Sequence, residues 1–482
     1  MKTHVAFLVL VLSFMSGCDI KMPGTNTSEE PETFSTKIIV SVPYWTSGDV
    51  YLGSGSEETL LLMEKVNDST YTKEASLEAG ASYYFTSVNG AESKRSIGDF
   101  IALKNTYTEQ AVIDWKDSTK SINKPGFMKG VTFGGMLWDE ENRGLVEQNL
   151  PILDEFNVGC VAIIPNWFAF GDTAEAIRRS TDFRPFYPDD GPFPNTTGWI
   201  SPTLTDDELR SIIEKAHENG KKVMLKPHLT PIDSGTPECL NTLQPPVGEW
   251  DKWFANYQNF ILRYAEIAEA EHVELFCVGC ELDDVTMPTN DGVPDDVTER
   301  WKTLIAEVRK KYTGKLLYSV SAAGDGLGPS KIKFWDALDY IGFEPYFGFS
   351  NVASPPISDL EAAFNKKLDE LAWPLYNEYK KPIIFSEANC YSHAGIFADP
   401  LNQPAEGAVP NPQAQADYYE ALFRSIEAKD WIAGVFWWAW YLDSTAKGDE
   451  ERQYTQDCYD PFVRKPAGQV LRKWFGKIST IE

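Results

Sequence analysis

The chain reads as an α/β protein, a (β/α)8 TIM barrel preceded by a small all-β sandwich domain, and three observations predict it. Eight short, β-rich apolar runs recur between residue 123 and the C-terminus, separated by long amphipathic stretches, which is the alternation of βα units on a parallel sheet. Ahead of them, residues 36–122 carry short strand-like runs punctuated by Gly, Ser, Asn and Asp, the pattern of a sandwich. The length also fits, since 482 residues accommodate one large barrel plus an accessory module. A doubly wound open sheet is the rival, but no Gly-rich phosphate turn follows the first run of the barrel region.

Taken in order, residues 1–17 read as a lipoprotein signal peptide. Lys2 supplies a positive start, Val5 to Phe14 an apolar stretch, and Met15-Ser16-Gly17-Cys18 resembles a bacterial lipobox, with Met where Leu is usual. Cys18 is then the lipid anchor; a plain secretory signal that happens to contain a Cys is the alternative. Residues 18–35, polar and rich in Pro, Gly, Ser and Thr, read as a flexible tether. No later stretch reaches the roughly 20 apolar residues a spanning helix needs. The expected location is therefore that of an exported lipoprotein, periplasmic or at the cell surface, touching membrane through Cys18 alone.

In the sandwich region, Lys37 to Val42, Thr59 to Met63, Ser82 to Thr86 and Ala111 to Trp115 are strand-like, and Pro43-Tyr44-Trp45 is an aromatic cluster able to touch sugar. The barrel strands are expected at Val131–Gly135, Cys160–Ile164, Lys222–Leu225, Glu274–Gly279, Leu316–Val320, Tyr340–Phe343, Pro382–Phe385 and Ile432–Trp438. Thr205-Asp206-Asp207-Glu208 is a capping box that opens a helix ending near Gly220. Helix-spaced apolar residues mark Trp250–Ala270, Asp295–Lys311, Ile357–Lys380 and Ala414–Ala428.

Composition narrows the function. With 44 basic against 71 acidic residues the formal charge is −27, which argues against a phosphate-binding surface, and no nucleic-acid partner is expected. Aromatic content of 13%, with 15 Trp, exceeds what most cores need and suits ligands with flat apolar faces, sugars among them. Cys277 and Cys280 form a CxxC inside an apolar run, but positions i and i+3 of a strand face opposite sides, so buried free thiols are expected rather than a metal pair. Cys160, Cys239, Cys390 and Cys458 show no spacing that reveals a disulfide pairing.

In a barrel of this kind, chemistry sits where the strands end. The fourth run ends Val278-Gly279-Cys280-Glu281 and the seventh Phe385-Ser386-Glu387-Ala388-Asn389, each placing a carboxylate at the mouth. Two convergent carboxyls, one protonated to donate to a leaving oxygen and one ionised to attack the anomeric carbon or activate water, are what glycoside hydrolysis needs. Either Glu alone could be a solvated loop residue or half of an ion pair. Asp283 and Asp284 could hold a cation, but no loop of clustered oxygen ligands surrounds them, and neither metal nor cofactor is expected.

At these residues the chain resembles the clan of retaining (β/α)8 glycosidases, and within it glycoside hydrolase family 113, the bacterial β-mannanases. The likeness runs through Met224 to His228, Val273 to Leu282, Asp339 to Gly342, Pro382 to Glu387 and Gly434 to Trp440. The resemblance implies Glu281 as acid/base, Glu387 as nucleophile, Trp438 as the floor under the reacting sugar, and Tyr346 as a hydrogen-bond partner of the nucleophile. Two departures stand out: Cys280 occupies a place often held by Asn, and the stretch after Glu387 departs from the mannanase pattern.

Further substrate-facing candidates are Lys226 and His228 after the third strand, Trp167 in the aromatic-rich loop 166–202, and Asn389 and Trp440 at the seventh and eighth strand ends. Lys226 could equally be a buried ion-pair partner, and Glu344 after the sixth strand is a third mouth carboxylate able to pair with it. The expected activity is retaining hydrolysis of β-1,4-mannosidic bonds in mannan or manno-oligosaccharides, with the carboxyls about 5–5.5 Å apart. A related retaining β-glycosidase of other sugar specificity and a non-catalytic glycan-binding lipoprotein are the alternatives.

Overall fold

The structure is a computed structural model that describes residues 33–42, 48–54, 60–67, 70–78, 81–89, 92–96, 100–102, 107–111, 122–136, 138, 140–170, 177–179, 184–185, 199–200, 202–233, 236–237, 243–246, 248–324, 326–349, 352, 355–405, 407–445, 458 and 462–480. The export signal, Cys18, the tether up to residue 32, and Pro43-Tyr44-Trp45 lie outside the described residues.

Eight parallel strands close into a barrel in chain order: β1 (Met128–Phe133), β2 (Cys160–Ile163), β3 (Lys222–Leu225), β4 (Leu275–Cys280), β5 (Lys315–Ser321), β6 (Tyr340–Glu344), β7 (Ile383–Ala388) and β8 (Ile432–Trp440). The circle is shut by β8 pairing with β1, Met128 opposite Gly434 and Val131 opposite Trp437. That pairing also explains why β1 begins three residues before its apolar run: Met128 and Lys129 are drawn into the ladder by their partner strand.

The strands bury both faces, as parallel strands must. Inward residues Cys160, Ala162, Met224, Leu275, Cys277, Leu317, Ile384 and Phe436 fill the lower barrel. Outward residues such as Val161, Val223, Phe276, Leu316, Ile341, Phe385 and Val435 pack under the helices. These helices are α1 (Asp206–Glu218), α2 (Trp250–Ala270), α3 (Val297–Arg309), α4 (Ile357–Lys367), α5 (Pro412–Ile426) and α6 (Pro466–Lys477). The capping box forms as expected: Thr205 accepts from the Glu208 amide, and the Glu208 carboxylate accepts from the Thr205 amide at 2.8 Å. The long helix expected over 357–380 is instead interrupted by a π turn at Leu368–Ala372. α6 lacks a counterpart in the expected elements, its start hidden behind a polar loop.

Most of the surplus tryptophan is structural. Trp138, Trp253, Trp301, Trp335, Trp437 and Trp440 are fully buried between barrel and helices. On α2, Trp253 stacks on Tyr257 with centroids 4.9 Å apart and 8° between ring planes.

The N-terminal all-β region has two sheets. Thr33–Ser41, Glu64–Asn67, Thr70–Glu78 and Tyr107–Ala111 form one; Asp49–Ser54, Leu60–Leu62, Ser82–Asn89, Glu92–Arg95 and Phe100–Ile101 form the other. Ile38, Val40 and Leu77 from the first meet Val50, Leu52 and Phe85 from the second in one core. Of the expected run Ala111–Trp115, Ala111 closes a strand and the remainder lies outside the described residues.

Candidate active site

The barrel mouth is built by irregular strand ends. β4 slips register between Cys277 and Cys280, and β7 between Phe385 and Ala388. Such irregularities re-aim side chains at sheet rims. The β4 slip overturns the expected opposite facing of Cys277 and Cys280, while both are buried free thiols as expected. Both thiols face the barrel interior, Cys277 among the core residues and Cys280 with its Sγ 3.8 Å from Glu344 Oε1. Both are free thiols, as is Cys160.

Beyond Cys280 the chain turns sharply. Glu281 has φ +47°, the left-handed region that a side chain adopts only under constraint. Its amide still donates to Ser319 O on β5 at 2.9 Å, and the Leu282 amide donates to the Tyr318 hydroxyl at 2.9 Å. Just before the turn, Gly279 lies so close to the Tyr318 ring that an added Cβ would sit 2.8 Å from it. Two tyrosines from the helix-facing side, Tyr318 and Tyr257, thus fix the backbone that carries Glu281: the Tyr257 hydroxyl donates to Val278 O at 2.9 Å.

Glu387, on β7, is 6% exposed. The Lys226 ammonium bonds its Oε1, and the Tyr346 hydroxyl donates to Oε2 at 3.0 Å. Tyr346 is brought there by tight turns after β6, in which the Tyr346 amide reaches back to Glu344 O at 2.8 Å and the Phe347 amide to Pro345 O at 2.8 Å. His228 Nε2 stands 4.0 Å from the same Oε1. Lys226 is wholly buried and is also 3.7 Å from Glu344 Oε1. The Glu344 and Glu281 carboxyls in turn hydrogen-bond each other. Glu387, Lys226, Glu344 and Glu281 therefore form one contiguous chain across the mouth.

Burial and then the Glu387 charge push Glu281 up to about 7, against smaller opposing effects from Glu344 and Lys226. Desolvation, then the charges of Glu281 and Glu387, carry Glu344 well above the carboxylate range. Lys226 is raised despite its burial, because the surrounding acidic groups favour its charged form. Burial, and then the Lys226 charge, lower His228 well below its ordinary value, so the imidazole is neutral.

His228 Nε2, Cys280 Sγ and a Glu387 oxygen lie within 4.8 Å of one another, a grouping that could suggest a metal. The Lys226 ammonium bonded to the same carboxylate already supplies the positive charge there, and a second cation would be repelled. Both ring nitrogens of His228 are buried without a hydrogen-bond partner among the described residues, which suits a neutral hydroxyl ligand.

Three expected substrate contacts are placed elsewhere. Trp440 is fully buried beneath the helices before β2, its indole N–H donating to Asn149 Oδ1 at 2.9 Å and its ring edge-on to Phe156. Asn389 points into the protein: its Oδ1 accepts from the Cys390 amide at 2.7 Å and the Tyr419 hydroxyl at 2.8 Å, tying the loop after β7 to α5. Trp167 leans on α2, donating to the Tyr264 hydroxyl at 2.6 Å and packing on Phe260. It sits on a short strand, Asn166–Phe170, which pairs with His228–Asp233 and turns it away from the mouth. Trp438 keeps a partly exposed ring between two buried neighbours on β8, and the Trp438–Ala439 peptide is cis. Ser319 and Ser386, which the sequence reading passed over, complete the mouth: Ser319 Oγ donates to Glu344 Oε1 and lies 2.6 Å from Ser386 Oγ. Their signal was a polar residue at an inward position of an otherwise apolar strand.

A cavity of about 560 Å³ opens at the opposite end of the barrel, lined by Met128, Lys222, Glu274, Lys315, Tyr340 and Phe436. It lies at the strand starts and contains none of the mouth carboxyls.

A closed (β/α)8 barrel with carboxyls at the ends of β4 and β7 facing one mouth defines the class of barrel glycosidases. The sequence profile of Glycoside Hydrolase Family 113 matches residues 196–461, and the chain belongs to that family. It is accordingly a glycoside hydrolase, and its substrate a carbohydrate. Among solved structures, two described as GH113 β-1,4-mannanase, one of them a complex, are each 28% identical, cover 73% of this chain and 99% of their own, and superpose with TM-scores of 0.54 and 0.53. The GH113 β-mannanase AaManA from Alicyclobacillus acidocaldarius, in complex with ManMIm, shares the fold at 24% identity and a TM-score of 0.56, covering 73% of this chain and 98% of its own. No curated protein matches the chain.

Proposed function

We propose that this glycoside hydrolase cleaves β-1,4-mannosidic bonds in mannan or manno-oligosaccharides by double displacement with retention. The observation that carries the reading is the division of labour at the mouth. Glu281, raised to about 7, is held as an acid, while Glu387 lies between the Lys226 ammonium and the Tyr346 hydroxyl, both of which favour an anion. The likeness to β-1,4-mannanases supports the choice of sugar linkage.

In the first step a Glu387 oxygen attacks the anomeric carbon, the glycosidic C–O bond breaks, and the Glu281 proton passes to the departing oxygen. In the second, Glu281, now ionised, takes a proton from water as the water oxygen attacks the anomeric carbon. The glycosyl–Glu387 bond breaks, and Glu281 is again protonated. Trp438 offers its face to the sugar, and neutral His228 offers one N–H and one lone pair to its hydroxyls.

Proton NMR of early hydrolysis products tests the mechanism: the β-anomer appears first under retention, and initial accumulation of the α-anomer rejects it. A panel of β-linked glucans, xylans and mannans tests the substrate, with mannan turned over fastest. We also propose export and anchoring through Cys18; Cys18→Ser should release the protein from the membrane fraction, and continued membrane association would refute the anchor.

A further inference from the structure

The mouth holds three carboxyls, Glu281, Glu344 and Glu387, and among the described residues Lys226 is the ammonium that pairs with them. Glu344 is wholly buried. Its donors all converge on one oxygen: Ser319 Oγ bonds Oε1, Cys280 Sγ lies 3.8 Å from Oε1, and Lys226 Nζ 3.7 Å from Oε1. Oε2 is buried with no donor reaching it among the described residues. The other polar neighbour is the Glu281 carboxyl, to which Glu344 is hydrogen-bonded. Two carboxyls share a hydrogen bond only when one carries a proton. A neutral acid with a carbonyl oxygen accepting several donors and a hydroxyl oxygen that gives its proton away accounts for the asymmetry of all these contacts.

We propose that Glu344 is a positioning residue that keeps its proton throughout turnover, its Oε2–H donating to Glu281 and holding that side chain in its constrained turn. This rests on the glycosidase reading of Glu281 and Glu387. When Glu281 gives its proton to the leaving oxygen, the new carboxylate is stabilised by the Glu344 hydroxyl, and no proton leaves Glu344. At the same moment Glu387 loses its charge by forming the glycosyl ester. The site thus carries one ammonium and one carboxylate before and after the step, with the negative charge moved from Glu387 to Glu281. The other charged groups facing the pair are Asp283 and Asp284 beyond β4 and, toward Asp283, Lys331; His228, behind Glu387, is neutral. Burial, with the charges of Glu281 and Glu387, favours the protonated form of Glu344.

The test is Glu344→Gln against Glu344→Ala, with pH profiles on an aryl glycoside. Gln keeps an N–H donor toward Glu281, a carbonyl toward Ser319 and a neutral charge. Its kcat/KM should stay within about tenfold of wild type and the alkaline limb within about one pH unit. Ala removes the donor; kcat should fall by about tenfold or more, with the alkaline limb moving upward, because ionised Glu281 loses a partner. Greater loss in the Gln variant, a limb displaced further, or an Ala variant like wild type overturns the proposal. If neither variant folds, infrared spectra of the wild-type protein decide. At about pH 9, above the range where Glu281, Asp283 and Asp417 titrate, one buried protonated carboxyl should persist, and its absence overturns the proposal. Glu281→Gln and Glu387→Gln in the same assays separate the two readings: if those retain turnover, the glycosidase reading itself falls.

Discussion

Two buried charge clusters in this molecule have opposite characters. Between α5 and α6, Glu420 is 1% exposed and fully answered: Lys473 Nζ reaches its oxygens at 2.9 and 3.0 Å, Trp474 Nε1 at 2.7 Å, and Arg424 Nε at 2.8 Å. At the barrel mouth, among the described residues, three carboxyls crowd one ammonium, Glu344 Oε2 lacks a donor, and both His228 nitrogens are unmatched. The first arrangement locks two helices together, with the Glu420 charge spent on its neighbours. The second leaves capacity for a ligand and holds protons where an isolated carboxyl would have lost them. Burial of charge alone does not mark a functional site; incomplete satisfaction with an excess of one sign does.

The sharpest way to break this contrast is Glu387→Gln. On the proposed double displacement it removes the attacking oxygen and leaves an amide that cannot form the ester, so kcat/KM should fall by at least about 10³-fold. Glu281→Gln comes next, costing about 10²–10⁴-fold on substrates with poor leaving groups. Aryl glycosides with acidic leaving groups need less protonation and should lose less in the first step. The pH profile reports the same group. Glu281 must be protonated to act as acid, and its folded value is raised to about 7. Activity should therefore be present below that pH and decline above it, the alkaline limb of kcat/KM lying near 7. A flat profile up to pH 9 would contradict the assignment of Glu281.

Lys473→Met probes the other cluster. It leaves Glu420 buried opposite Arg424 and Trp474 without its ammonium, and breaking such a pair costs about 3–5 kcal/mol. Thermal unfolding should shift down, while kcat of the protein that remains folded should match wild type. A loss of kcat with unchanged unfolding would mean that the two clusters are coupled and that the contrast fails.

Most of the barrel was legible in the sequence because its strands are apolar on both faces, and a carboxylate follows the fourth, sixth and seventh of them. Glu281 and Glu387 stood out for that reason, each ending a run such as Leu275 to Gly279 or Ile383 to Phe385. What periodicity could not show was orientation. Asn389 and Trp440 follow strand ends as closely as Glu387 and Trp438 do, yet one register step turns each toward the helices. The slip in β4 likewise brought Cys280 inward beside Glu344, a placement strict alternation forbids. In the N-terminal region, Thr70–Glu78 was missed because Lys73, Glu74 and Ala75 are weak strand formers, though Tyr71, Ala75 and Leu77 share the buried face.

The finest test of the contrast uses two tyrosines on either side of Pro345. Tyr346 donates to Glu387 Oε2 at 3.0 Å, whereas Tyr418 on α5 donates to Pro345 O at 2.9 Å. Both phenols are buried, which raises them well above their ordinary value and keeps them as O–H donors at any pH the enzyme meets. Tyr418→Phe removes a bond to a neutral carbonyl, worth about 1 kcal/mol, and should lower thermal stability slightly while leaving kcat alone. Tyr346→Phe removes a bond to the proposed nucleophile, worth about 1.5–3 kcal/mol, and should lower kcat/KM by about tenfold or more with the fold intact. On the proposed mechanism the hydroxyl orients Glu387 before attack and is no part of its departure from the sugar. The loss should therefore be greatest when formation of the glycosyl–enzyme limits the rate. Equal, small effects of both substitutions on kcat/KM would show that Lys226 alone holds the nucleophile in place.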